Sequence, residues 1–159
     1  YSMASSIHAI ANNPYIFNCL KSAPDDASVW DSATEEFLRW ASPTIHFRRT
    51  ATEDYKLHGK QIREGDKVTI WFTSGNYDER KFSNPFNLIL ERENNNHIAF
   101  GQGGPHVCLG MWLARLEVRV VMQELLKRVS KIEQIAPEKY LRSNFIRGIK
   151  NLPIKLTSA

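Results

Sequence analysis

The sequence predicts an α+β fold that is mainly α-helical and carries small β-sheets. Three observations predict it: helical apolar spacing near the start and after residue 109, two-residue alternation over 45–73, and a polar stretch without periodicity over 74–98. The 159 residues are 42% hydrophobic and 24% charged, which supplies enough apolar material for the core of one domain.

The first part of the chain predicts three helices. Apolar residues at helical spacing over residues 1–12 indicate the last turns of a helix, which ends before Pro14. The segment "YIFNCLKSA" then predicts a short amphipathic helix. The clearest helix covers about 28–41, because Asp and Ser precede it, its first half is acidic and Pro43 follows it.

The remaining segments follow in a fixed order. Alternating β-branched and aromatic residues predict strands over about 45–73, with turns at "HGK" and "EGD". A polar meander over 74–98 leads into a cysteine loop over 99–110. A long helix with an apolar stripe is predicted over about 109–129, and the tail predicts one hairpin of two short strands over about 141–158.

Composition excludes several classes of protein. The net charge is +4, but no dense run of Lys or Arg indicates nucleic-acid binding. No apolar run in these residues reaches the length of a membrane span. Cys19 and Cys108 do not form a disulfide framework, and Cys19 is typical of a small buried hydrophobe.

The other cysteine lies in the glycine-rich stretch "AFGQGGPHVCLGMWLARLE", residues 99–117. A dinucleotide-binding loop needs Gly-x-Gly-x-x-Gly, and after Gly101 and Gly103 the third position is His106. The Gly-Lys-Ser/Thr ending of a Walker loop is absent as well. Zinc needs three or four ligands, and only His106 lies at a suitable spacing from Cys108. The spacing therefore disfavours phosphate and zinc.

Two chemistries for Cys108 remain open from the residues alone. A helix N-terminus lowers the pKa of a thiol, which suits a nucleophile with His106 as its base. The same effect suits a thiolate that ligates a metal. Glycines on both sides allow backbone to approach a flat, bulky group, as a thiolate ligand of haem iron requires.

The loop resembles the cysteine-ligand loop of the cytochrome P-450 family, written F-x-x-G-x-[RH]-x-C-x-G. The matching positions here are Phe100, Gly104, His106, Cys108 and Gly110. Phe100 lies one residue further from the cysteine than in the usual pattern. Similar longer loops occur in bacterial members that hydroxylate methyl-branched lipids and steroid side chains.

Further motifs of that family occur in the family's order. Glu36 and Arg39 match its E-x-x-R helix, and Arg49 matches an arginine that reaches a haem propionate. The family often has an arginine in "P-x-R-F" that locks the Glu–Arg pair. Counting back from "HIAFG" without gaps places Asn87 at that position, where its role would be structural. Because Asn87 is not an arginine, the identity of the third member of the triad stays open.

The resemblance implies the C-terminal, incomplete portion of a P-450 fold that binds haem b. Because the resemblance is to bacterial members, it also implies a cytoplasmic protein. Cys108 would be the axial ligand of the iron, and His106 would contact the second propionate. The further residues that the resemblance places at the cofactor are Arg49, Phe100, Gly101 and Gly110.

The resemblance also implies a monooxygenase that hydroxylates a hydrophobic lipid or sterol side chain with O₂. Electrons would come from NAD(P)H through a ferredoxin or flavodoxin and its reductase. Arg115 and Arg119 would either face that partner or form an ordinary solvated surface. The candidate substrate contacts are Ile45, Phe47, Ile146 and Ile149.

Two alternatives stand beside the monooxygenase. The first is a haem-binding module without turnover, because the family's acid–alcohol pair for proton delivery is not among these residues. The second is a protein without haem, in which Cys108 is structural or nucleophilic.

Overall fold

The computed structural model describes all residues from 1 to 159. The helices are α1 (Ser2–Ala11), α2 (Pro14–Ser22), α3 (Ala27–Ala41), α4 (Phe72–Asn76) and α5 (Met111–Arg128). The strands are β1 (His46–Thr50), β2 (Tyr55–Leu57), β3 (Lys60–Ile62), β4 (Lys67–Trp71), β5 (Val129–Gln134), β6 (Lys139–Tyr140), β7 (Ile149–Asn151) and β8 (Ile154–Ser158). None of the helices combines the length and the hydropathy that crossing a bilayer requires.

The central helix α3 is delimited by its own flanking residues. The Asp26 carboxylate accepts hydrogen bonds from the backbone amides of Ser28 and Val29, which satisfies two free donors of the first turn. Ser42 ends the helix in the left-handed region, with φ of 37°, and Pro43 cannot extend it. The helix therefore begins and ends within one residue of the predicted bounds.

The hydrophobic core lies between the helices. Helix α3 packs against α1 and α5, and α1 also contacts α2 and β5. The largest apolar side chains at the centre are Trp30, Phe37 and Met122, and none is more than 1% exposed. Because α3 is central, side chains on its other face can hold the segments that wrap around it.

The strands form four separate antiparallel pairs. Strand β1 pairs with β4, so that Phe47 lies opposite Ile70. The β2–β3 hairpin turns at His58 and Gly59, which both have positive φ, as the two central residues of a type I′ turn require.

The predicted single hairpin over 141–158 is wrong in its pairing. Strand β8 pairs with β5, whereas β7 pairs with β6, so β7 and β8 are not partners. Residues 129–134 form a strand that the sequence did not reveal. The β5–β8 pairing buries Val129 and Ile132 in the helical core, and that burial favours it over a local hairpin.

Candidate functional site

The first part of the site is a buried carboxylate on α3 between two arginines. Arg39 donates from Nε and Nη2 to the two Glu36 oxygens, at 2.7 Å and 2.8 Å. Arg92 donates from Nε to Glu36 Oε2 at 2.9 Å. All three side chains are buried, so each charge depends on the others and on nearby carbonyls.

The two arginines attach the meander to α3. Arg39 Nη1 donates to the carbonyls of Asn76 and Pro85, at 2.7 Å and 2.9 Å. Arg92 Nη1 donates to the carbonyl of Ser83 at 2.6 Å. These charge-assisted bonds replace the backbone pairing that a strand or helix would supply, because residues 77–110 form neither.

Arg92, not Asn87, is the third member of this cluster. Asn87 contributes only its main-chain carbonyl, which accepts from Arg39 Nη2 at 3.2 Å and from Arg92 Nη2 at 3.0 Å. The ungapped count that predicted Asn87 requires a fixed spacing along the chain, and an irregular segment does not keep one. The signal that could have identified Arg92 is that no other arginine lies between residues 81 and 114.

The second part of the site is the cysteine loop. Cys108 is exposed, and its amide donates to the Phe100 carbonyl at 2.9 Å. Gly103 and Gly104 have positive φ, and a Cβ added at either would meet nothing within 4 Å. The loop thus holds Cys108 just before the first turn of α5, and the space that side chains at Gly103 and Gly104 would occupy is open.

The surroundings of Cys108 fit an iron porphyrin. Leu109 beside it is 99% exposed, and α5 presents Trp112, Leu113 and Leu116 as further exposed apolar side chains. No group of three or more His, Cys, Asp or Glu side chains forms a cage for a bare ion. A porphyrin brings four ring nitrogens to its iron, so one thiolate from the protein suffices as a ligand, and its large apolar faces match the exposed apolar side chains.

The predicted propionate contacts, Arg49 and His106, lie on different segments. Arg49 is half-buried on β1, where its guanidinium lies 5.8 Å from the Phe47 ring centre. Its Nη1 donates to the Arg48 carbonyl at 3.0 Å. His106 is exposed in the cysteine loop. Both side chains retain N–H groups that could donate hydrogen bonds to a carboxylate.

Three of the four candidate substrate contacts, Ile45, Phe47 and Ile146, lie in one apolar wall. The Phe145 ring lies 5.4 Å from the Phe47 ring, measured between centres. Backbone bonds join the two segments, since the Ile45 amide donates to the Phe145 carbonyl at 2.9 Å and Ile146 bridges to Thr44. Phe145 itself adds an exposed aromatic ring to the wall, next to the candidate residue Ile146.

Ile149 lies outside this wall. It is 6% exposed and pairs with Tyr140 in the β6–β7 ladder. Ile45 and Ile146 are half-buried, and Phe47 is exposed. The accessible part of the wall therefore consists of these three residues and Phe145.

Arg115 and Arg119 of α5 both form ion pairs with α3. Arg115 binds the two oxygens of Glu35, and Arg119 Nη1 lies 2.5 Å from Asp31 Oδ1. Neither arginine is an isolated surface charge.

Comparison with known proteins places the chain in a family. A family model described as Cytochrome P450 matches residues 28–156. The chain belongs to the cytochrome P450 family. The cysteine loop and the Glu36 cluster are therefore features of a P450 chain, and the predicted family is confirmed.

Two curated relatives of this P450 chain have named activities. It is 46% identical over 123 residues to the methyl-branched lipid omega-hydroxylase of Mycobacterium tuberculosis, an alignment that covers 77% of this chain and 29% of that protein. It is 39% identical over 155 residues to linalool 8-monooxygenase of Pseudomonas putida, covering 98% of this chain and 37% of that protein.

A solved structure shows the same fold. The P450 chain matches the crystal structure of CYP108D1 from Novosphingobium aromaticivorans with a TM-score of 0.92 and 37% identity, covering 99% of this chain and 38% of that one. The predicted fold, a portion of the P450 fold, is confirmed. The chain spans between 29% and 38% of the length of these three proteins.

Proposed function

We propose that the protein containing this chain is a haem-thiolate monooxygenase that hydroxylates a hydrophobic substrate. One observation carries the proposal: in a chain of the P450 family, Cys108 is exposed in an open glycine loop beside an apolar surface. The donor set matches a porphyrin and does not match a bare ion.

Cys108 Sγ would hold the iron of haem b. When bound, haem would supply the oxygen chemistry, and the Cys108 thiolate would support it by donating electron density to the iron. Phe100 and the glycines Gly101 and Gly110 shape the loop around the thiolate. Arg49 and His106 would bind the two propionates, and the planar guanidinium of Arg49 suits a carboxylate.

The substrate would contact the wall formed by Ile45, Phe47, Phe145 and Ile146. Aromatic and aliphatic side chains without charge recognise an apolar tail and exclude water from it. A lipid or sterol side chain fits this chemistry. The similarity to the methyl-branched lipid omega-hydroxylase supports a lipid, with a terminal or methyl-branched carbon as the target.

The electrons would come from NAD(P)H through a ferredoxin or flavodoxin and its reductase. These small redox proteins deliver single electrons, which haem iron can accept. The family membership supports this partner class.

Turnover tests the proposed function. The full natural protein, loaded with haem, is supplied with a ferredoxin, its reductase, NAD(P)H and a methyl-branched fatty acid under ¹⁸O₂. We expect a hydroxylated product that carries one ¹⁸O atom, and we expect none from Cys108→Ser. Cys19→Ala, the control at the other cysteine, should retain product formation. Haem binding without product from lipid or sterol substrates would contradict the proposal and support a haem module without turnover.

A further inference from the structure

Glu35 lies beside Glu36 on α3 and serves a different segment. Its carboxylate binds Arg115 through two bonds, from Nε to Oε1 at 2.5 Å and from Nη2 to Oε2 at 2.9 Å. The same Oε2 lies 3.0 Å from His97 Nε2. One carboxylate thus joins a residue before the cysteine loop and a residue after it.

His97 is the buried member of this group, with a side chain that is 2% exposed. Its Nδ1 accepts a hydrogen bond from the Ala99 amide at 3.2 Å, so Nδ1 carries no proton. The proton is therefore on Nε2, which donates to Glu35. Burial alone raises the pKa of Glu35, but the hydrogen bonds from His97 and Arg115 outweigh it and hold the pKa at about 2.

These contacts continue into the loop that carries the thiol. Ala99 is the first residue of that loop, and the next residue, Phe100, accepts the Cys108 amide at 2.9 Å. The Arg115 guanidinium lies 4.9 Å from the centre of the Phe100 ring. Glu35 therefore acts on the backbone that orients Cys108 from both ends.

We propose that Glu35, His97 and Arg115 form a clip that positions the cysteine loop so that Cys108 Sγ faces the haem iron. The inference rests on the proposed function. Glu35 acts through His97 and Arg115 and is a positioning residue, since it contacts neither the thiol nor the apolar wall.

A second ion pair between the same helices distinguishes a clip from ordinary helix pairing. Arg119 and Asp31 also join α5 to α3, but Asp31 is 69% exposed in its side chain, and the side chains of the two residues hydrogen-bond to each other and not to the loop. Asp31→Ala removes a helix–helix ion pair and leaves the loop contacts intact. It is the matched control for Glu35→Ala.

The first measurement is hydrogen exchange in the full natural protein, loaded with haem. We expect the amides of Ala99, Gly101 and Cys108 to exchange at least about tenfold faster in Glu35→Ala, because the variant loses the bonds to His97 and Arg115 and one charge-assisted hydrogen bond alone corresponds to about that factor. Asp31→Ala should leave them at the wild-type rate. Glu35→Gln keeps an acceptor for His97 and should give an intermediate exchange rate. This second variant tests the clip even if Glu35→Ala does not fold.

The second measurement is the spectrum of the reduced, carbon monoxide-bound protein. Glu35→Ala should convert part of the red-shifted Soret band of thiolate-ligated haem into the band of haem that has lost its thiolate, and Asp31→Ala should not. Equal exchange rates and equal spectra in the Glu35 and Asp31 variants would overturn the clip. Absence of the thiolate band in the wild type would instead overturn the proposed function, while amide exchange would still test the clip.

Discussion

Glu36 is the residue on which the buried polar part of the site depends. Its carboxylate accepts from Arg39, Arg92 and the Ile89 amide within 2.9 Å, and these partners hold the meander on α3. Removal of one arginine takes a charged partner from the buried Glu36 carboxylate and leaves the carbonyls that the arginine bound without a donor, which is far more unfavourable than removal of a surface pair.

Arg92→Gln tests this dependence. We expect the free energy of unfolding of the full natural protein to fall by about 3 kcal/mol in urea, because the Glu36 charge stays buried with one partner fewer. Arg80→Gln is the control, since Arg80 is 89% exposed in its pair with Asp78 and should change stability by less than about 1 kcal/mol. Equal losses in the two variants would show that Arg92 is not part of a buried cluster.

The lowered pKa of Glu35 predicts how the stability of the protein changes with pH. Its pKa is lowered from 4.5 to about 2 in the folded state, so its contribution is fully present above pH 4.5 and is lost as pH falls through about 2. Near neutral pH, the free energy of unfolding of the wild type should exceed that of Glu35→Gln by about 2 kcal/mol, after allowance for solvent screening. Urea unfolding across this range should show the difference shrinking on acidification. A difference that stays constant would contradict the lowered pKa.

The residues of the site differ in how far sequence can predict them. Glu36 and Arg39 are three positions apart on a helix, so their contact follows from helical geometry. Arg92 meets the same carboxylate across 56 positions, through an irregular segment whose path no periodicity describes. Cys108 could be singled out because glycines surround it and a helix follows.

At the scale of elements, helices could be predicted more fully than strand partners. Apolar spacing and flanking residues delimit α3 locally, whereas pairing depends on which distant segment shares a buried face. Strand β8 pairs with β5 across the core, and the tip between β6 and β7 bonds to the segment before β1. This last contact creates the apolar wall.

Substitution of Phe145, which lies in that tip, tests whether the apolar wall contacts the substrate. We expect Phe145→Ala in the haem-loaded full natural protein to raise the KM for a branched lipid about tenfold, since the substrate would lose one aromatic contact. The carbon monoxide spectrum should not change, because the ring partners of Phe145 are His46 and Phe47, outside the cysteine loop. Tyr55→Ala, at another exposed aromatic residue on β2, should leave KM unchanged. An equal KM in both variants would place the substrate elsewhere.

At the scale of the whole molecule, the chain covers part of a larger fold. It spans 38% of the CYP108D1 chain, and α5 exposes Trp112, Leu113, Leu116 and Val120 along one side. Under the proposed function, the wall and the cysteine loop would form only one part of the haem and substrate pocket. Haem binding needs contacts on both ring faces.

The 159-residue chain alone should therefore fail to bind haem stably. We expect haem titration to give no stoichiometric complex with a thiolate spectrum, while the full natural protein gives one. A tight one-to-one complex of the isolated chain with that spectrum would contradict this prediction, since it would show that these residues supply a complete pocket.

The central claim is that Cys108 is the thiolate ligand of haem iron, and one spectrum tests it most directly. The full natural protein is loaded with haem, reduced and exposed to carbon monoxide, alongside Cys108→Ser and Cys19→Ala. We predict the red-shifted Soret band of thiolate-ligated haem in the wild type and in Cys19→Ala, and its loss in Cys108→Ser. Persistence of that band without Cys108, or its absence from the wild type, would contradict the claim.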